Sequence, residues 1–236
     1  MISSIALFTF TALSVANADT HSFGLTDITK VEVHNSSGDV KVIGVTSGQA
    51  IVTATKKQFG SHCKMTIEQR QATLFVEVRQ AENSFFGCDV DFEIKAPQAA
   101  KLELSSGSGD LTIQGTSGDL EFRTGSGDVI VDGEIKTIMG KAGSGDVSIK
   151  GLTTGGTIVT GSGKMKLVFS IPPAIGELEL KTGSGDAEVV LPKAARVRTS
   201  LAVGSGKIRN EVGNDASSKF KITARSGSGD LKVRSE

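Results

Sequence analysis

The tetrad Gly-Ser-Gly-Asp followed by an apolar-polar-apolar triplet recurs along most of the chain. A turn-plus-strand unit repeated this often has few ways to bury itself. Aligned on the residue after Ser-Gly, the units fall at Asp39, Asp110, Asp119, Asp128, Asp146, Lys164, Asp186, Lys207 and Asp230. The first and third positions after the marker carry pairs such as Val40/Val42, Leu111/Ile113, Val129/Val131, Met165/Leu167 and Leu231/Val233. That period of two is the mark of a strand with one buried face. The Lys207 unit is weaker, with Ile208 followed by Asn210.

A second apolar pair stands eight and six residues before the marker, as in Val31/Val33, Leu102/Leu104 and Leu178/Leu180, with imperfect versions at Ile138/Gly140 and Gly156/Ile158. The step from the second residue of one pair to the first of the next is seven positions, an odd number, so an unbroken strand would throw them onto opposite faces. The chain must turn between them, and glycine reaches the positive-φ conformations of a tight corner without steric cost. From Asp110 onward the marker spacings are 9, 9, 18, 18, 22, 21 and 23, which fit half-turns of nine residues and coils of about twenty. No helical periodicity interrupts the series. The expected fold is therefore all-β: a single-stranded parallel β-solenoid, or β-helix, with glycine corners, its handedness taken as right from the usual crossover preference.

The 29 glycines are thus punctuation at fixed places, not low complexity. Lys plus Arg equals Asp plus Glu at 26 each, so no overall field favours nucleic acid. The charge is uneven: residues 193–236 carry ten Lys/Arg against Glu211, Asp215, Asp230 and Glu236. That excess fits either attraction to an anionic envelope polymer or lipid headgroup, or a rim of outward-pointing strand residues. Residues 1–18 read as a signal peptide ending in the small-residue site Ala16-Asn17-Ala18, although no Lys or Arg precedes Ile5. Residues 19–236 then form one exported domain without a transmembrane segment, with longer N-terminal strands over 46–97 and regular repeats over 98–236. Phe85-Phe86 are expected to plug the N-terminal end of the core.

The two cysteines, Cys63 and Cys88, each stand just before an alternating run. In an oxidising compartment a disulfide tying two strand starts together is expected. Free thiols, or a metal site with His62, are the competing readings, and the spacing matches no zinc motif.

The combination of VHNSSGDVKVIG, DFEIKAP, LELSSGSGDLTIQG and repeated TGSGD units resembles the bacterial putative-adhesin β-solenoid family, including head-GIN-type domains, over about residues 28–236. The resemblance implies an extracytoplasmic parallel β-helical domain with no catalytic residues to carry over. Lys164 and Lys207 depart from the usual Asp.

Three function classes follow. The marker Asp residues raise calcium binding, because nonapeptide repeats of some toxins bind Ca²⁺, but here Asp directly follows Gly. A carboxylate in that place also has a local task, accepting hydrogen bonds from turn amides. A polysaccharide-acting β-helix enzyme would need long loops walling a cleft and convergent acids, whereas these turns are short. The favoured reading is a non-catalytic, envelope-associated binding or scaffold module without cofactor, whose partner is an unidentified envelope or surface protein or glycan. Without Trp or Tyr, a glycan would be held by polar ladders such as Asp89, Asp91 and Glu93, or the rows near Lys232 and Arg234. The final strand, DLKVRSE, shows no cap after it, which leaves end-to-end association open.

Overall fold

Each glycine corner delivers the chain from one wall of a stacked coil to the other, and the computed structural model, which describes residues 18–81 and 87–236, shows those walls directly. The expected signal peptide, apart from Ala18, and the Phe85-Phe86 plug lie outside the described residues. The N-terminal strands are β1 (Ala18–Gly24), β2 (Lys30–Ser37), β3 (Val40–Val45), β4 (Gln49–Gln58), β5 (Cys63–Arg70), β6 (Thr73–Gln80) and β7 (Asp89–Pro97). The regular coils are β8 (Lys101–Ser108) with β9 (Leu111–Gln114), β10 (Leu120–Ser126) with β11 (Val129–Asp132), and β12 (Thr137–Ser144) with β13 (Val147–Leu152). They continue as β14 (Gly155–Ser162) with β15 (Met165–Phe169) and β16 (Gly176–Ser184) with β17 (Ala187–Leu191). The last four strands are β18 (Arg198–Ser205), β19 (Ile208–Asn210), β20 (Phe220–Ser228) and β21 (Leu231–Ser235).

One wall runs β5-β6-β2-β8-β10-β12-β14-β16-β20-β18 and the other β1-β4-β7-β3-β9-β11-β13-β15-β17-β21-β19. Among the described residues every pairing is parallel except β1–β4, β4–β7 and β5–β6, which are antiparallel and lie at the N-terminal end. Within 46–97, β6 and β7 stack in parallel on β2 and β3, and the antiparallel β5 and β4 extend the two walls beyond them.

The register keeps equivalent positions in columns. Leu102, Leu120 and Ile138 stack on one wall, and Leu111, Val129 and Val147 on the other. All are buried, so the core is a file of aliphatic side chains between the walls. A short third side closes each coil through rungs such as Lys136 N–H to the Gly118 carbonyl and Thr154 N–H to the Lys136 carbonyl, with Ile135 and Leu152 buried beneath. At the corner Gly127 has φ 130°, and a Cβ there would run into the Gly109 carbonyl of the coil below. Glycine is required on both counts.

Space order and chain order differ at both ends. The β6/β7 layer stacks outside β2/β3, while β8/β9 stack on the other side. Likewise β20/β21 are inserted between β16/β17 and β18/β19. The final strand, β21, for which the sequence shows no cap, is covered by β19 and so is an interior strand. The open end is made by β18 and β19.

Candidate functional site

The Asp residues at the Gly corner form a ladder that runs between coils. Asp39 N–H donates to Asp91 Oδ1 at 2.9 Å, and Asp39 Oδ1 in turn accepts from Asp110 N–H at 2.9 Å. Asp110 Oδ1 then accepts from Asp128, Asp128 from Asp146, and Asp146 from the Lys164 N–H, at 2.7–2.8 Å. Beyond Lys164 the series resumes, Asp186 accepting from Asp230 and Asp230 from Lys207. Each carboxylate thus caps the amide of the next coil rather than an amide of its own turn. Asp119 is on the opposite corner, where its Oδ1 accepts from Thr137 N–H and Oγ1–H. The nine-residue spacing is a half-turn, and the true coil step is the 18 residues from Asp110 to Asp128.

The direction of this ladder explains one departure from Asp. Lys207 is in the last layer, where no further amide waits for a carboxylate. Lys164 is interior and leaves the Asp186 amide without that acceptor. It follows a run of five stacked carboxylates, Asp91 and the markers Asp39, Asp110, Asp128 and Asp146.

The charged rows expected to hold a ligand are largely consumed by one another. Asp91 Oδ2 pairs with Lys57 at 2.8 Å, which raises the Lys57 pKa, and Glu93 lies 3.6 Å from Lys41. On the basic side Arg234 donates to Glu188 at 2.8 Å and holds that carboxyl below its ordinary range. Lys232 sits between Glu188 and Glu211 at 4.0 and 3.7 Å. These rows cross coil boundaries, and sequence order does not place the partners side by side.

Cys63 and Cys88 form a disulfide with a Cα–Cα distance of 5.8 Å, joining the start of β5 to the entry of β7. His62 is beside them, and this is the one group among the described residues in which three candidate metal ligands converge. With both sulfurs bonded to each other, neither is a thiolate that could hold a metal.

Several cations outside every ion pair are grouped at the end that sequence order hid, where Arg196 and Arg198 feel Asp215 and Glu177 only through space. Residues 193–210 contain Lys193, Arg196, Arg198, Lys207 and Arg209 and no acid. All five are exposed, and none makes an ion pair with a described residue. Half of this terminal coil carries a polar cap: Asn210 Nδ2–H donates to Thr199 Oγ1 at 3.0 Å and to the Gly213 carbonyl at 2.8 Å, while Thr199 N–H donates to Asn214 Oδ1 at 2.9 Å. The half beside the corner keeps partly exposed Leu201 and Val203, and Ile208 is 45% exposed. The signal available in sequence was the weak Ile208/Asn210 unit, where a polar residue replaces the second inward apolar one.

Among solved structures, the chain is similar to a putative cell adhesion protein from Clostridium sporogenes (13% identity, 94% of this chain and 100% of that chain, TM-score 0.40). It is also similar to putative adhesins from Bacteroides fragilis (12% identity, 92% and 97%, TM-score 0.42) and Parabacteroides distasonis (13% identity, 94% and 98%, TM-score 0.42). No curated protein matches the chain. The family model described as Toastrack DUF4097 matches residues 25–235, nearly all of the solenoid, and the chain belongs to that family.

Proposed function

We propose that the chain is an exported, non-catalytic, envelope-associated binding or scaffold module that meets an anionic partner through its basic terminal coil. The observation that carries this reading is the set of five exposed cations over residues 193–210 with no acid among them, beside an exposed Ile208. Elsewhere surface lysines and arginines commonly face a carboxylate from the same or a neighbouring strand, as Lys101 faces Glu103 and Arg123 faces Glu121. Unpaired charge of one sign raises the local concentration of the opposite sign and steers association. The Cys63–Cys88 disulfide accords with an oxidising, extracytoplasmic location.

The experiment is a pull-down of residues 19–236 against the envelope fraction of its own cells, alongside Arg198→Glu/Lys207→Glu/Arg209→Glu. Retention by the native chain that weakens with salt and is lost in the charge-reversed variant is expected. Retention that ignores both salt and charge reversal would remove the terminal coil from the function.

A further inference from the structure

Resting on that reading, we infer that the partner is an extended acidic polypeptide segment, which adds as a further strand to the open edges of β18 and β19. In interior coils the residue after each marker donates its N–H onward: Val129 to the Asp146 carbonyl, Val147 to Lys164, Leu231 to Lys207. The corner glycines do the same, Gly127 to Ser144 and Gly185 to Ser228. Ile208 and Gly206 hold these positions in the last layer, and among the described residues no coil lies beyond them.

The same direction holds along β18. Leu102 sends its N–H onward to the Asp119 carbonyl, and Thr199, in the same column, sends its own to Asn214 in the loop that caps this half. Backbone groups alternate sides along a strand, so Leu201 and Val203 direct theirs to the same open side as Thr199, where no further strand lies. A strand of eight residues without Pro, without a charge after Arg198, and with its edge open at Leu201 and Val203 is the kind that recruits another chain. At the opposite end the walls run on through antiparallel strands, β4 and β1 on one and β5 on the other, and the disulfide ties the start of β5 to the entry of β7.

Charge selects the occupant. Arg198 stands at one end of the edge, and Lys207 and Arg209 at the other. Two copies meeting edge to edge about a two-fold axis would bring these cations against their own kind, whereas a strand with outward acids would pair with them.

The test uses residues 19–236 and a ten-residue peptide alternating Glu and Val, with three comparators: its Lys-Val counterpart, a Glu-Val peptide N-methylated at alternate residues, and dextran sulfate. Binding is read by fluorescence polarisation, and new β-structure by infrared spectroscopy of a ¹³C-carbonyl-labelled peptide. The Glu-Val peptide is expected to bind and to gain a β-sheet band. Its affinity should fall at least tenfold in Lys207→Glu/Arg209→Glu, and equally in Val203→Pro, which removes an edge N–H not used by β20. The Lys-Val and N-methylated peptides should not bind, and the N-methylated control stands even if Val203→Pro fails to fold. If the N-methylated peptide and dextran sulfate bind as well as Glu-Val, the end reads charge alone; strand addition is then overturned while the binding reading survives. If no anion binds, both fall. Mass that grows with protein concentration in light scattering would place a second copy on the edge and overturn the inference.

Discussion

Gly140 occupies an inward position on β12, where neighbouring coils carry Phe122 and Ile158. Its backbone needs no unusual φ; the space above it is filled by the Phe122 ring, into which a Cβ would intrude. The imperfect Ile138/Gly140 pair in the sequence is thus one half of a large-small pairing between coils. Gly140→Ala is expected to destabilise by about 1–3 kcal/mol through overpacking. In a thermal-denaturation double-mutant cycle Phe122→Leu should cost less in the Gly140→Ala background than alone. Additivity of the two would show that the ring and the glycine do not share the space. At the corner, Asp128→Ala leaves the Asp146 N–H without its carboxylate and is expected to cost about 1 kcal/mol, a drop of roughly 2–4 °C in Tm for a chain of this size. Asp128→Asn keeps an acceptor oxygen and should lose less. Because each Oδ1 is committed to a backbone amide, EDTA followed by excess Ca²⁺ is expected to leave Tm and circular dichroism unchanged. Stacked carboxylates about 4.8 Å apart repel by about 1 kcal/mol per neighbour in water. A charge-assisted hydrogen bond contributes about 1.5–3 kcal/mol, which is why the column persists, and Lys164 interrupts it after five members.

Between strands, the outward rows act as cross-coil ladders of opposite charge. Lys30 on β2 reaches Glu103 on β8 at 2.7 Å, and Lys101 reaches the same carboxylate at 2.7 Å. Hydrogen bonds from Lys101 and Lys30 hold the Glu103 carboxyl below its ordinary range, and the bond to Glu103 is the chief cause raising Lys30. A carboxyl depressed in the folded state contributes stability above its unfolded pKa, roughly 4.3, that is lost as pH falls through the folded value. A raised lysine contributes below roughly 10.4 and loses that contribution as pH rises beyond it. The expectation is a broad plateau in Tm between these limits. Glu103→Gln should flatten the acid limb slightly, since each exposed pair is worth about 0.2–1 kcal/mol, and 1 M salt should mask the difference. An acid limb unchanged by Glu103→Gln would remove this row from the stability balance. Such pairs were not legible in the sequence, because their partners are 73 residues apart for Lys30 and Glu103. The strand and corner were legible, because Leu111, Ile113 and the glycines before them encode one coil's local geometry completely. The order of coils was not: Leu178/Leu180 and Ile222/Ala224 are interchangeable as inward pairs, so nothing local says that β20, and not the earlier β18, is the strand that stacks on β16.

At the scale of the molecule, nine parallel layers spaced about 4.8 Å apart make an elongated body roughly 40 Å long, each layer touching only its neighbours. Stability in such a stack is close to a sum of layers and interfaces, with terminal layers that need a polar outer face. The excursion through β18 and β19 is such a terminal layer, because β20/β21 already pack on β16/β17 and the Asp186 carboxylate already caps the Asp230 amide. Excising residues 193–218 would therefore remove one layer and one interface while keeping every interior rung. The shortened chain is expected to fold with an unchanged β-sheet circular dichroism signature and a Tm lower by several degrees. Its new end would lack the Thr199, Asn210 and Asn214 cap and would expose the apolar positions at Leu231 and Val233. Mass measured by light scattering should then rise with protein concentration in the deletion but not in the parent. Loss of folding in the deletion would mean that the terminal layer organises the rest, and the layers could not then be treated as separable units.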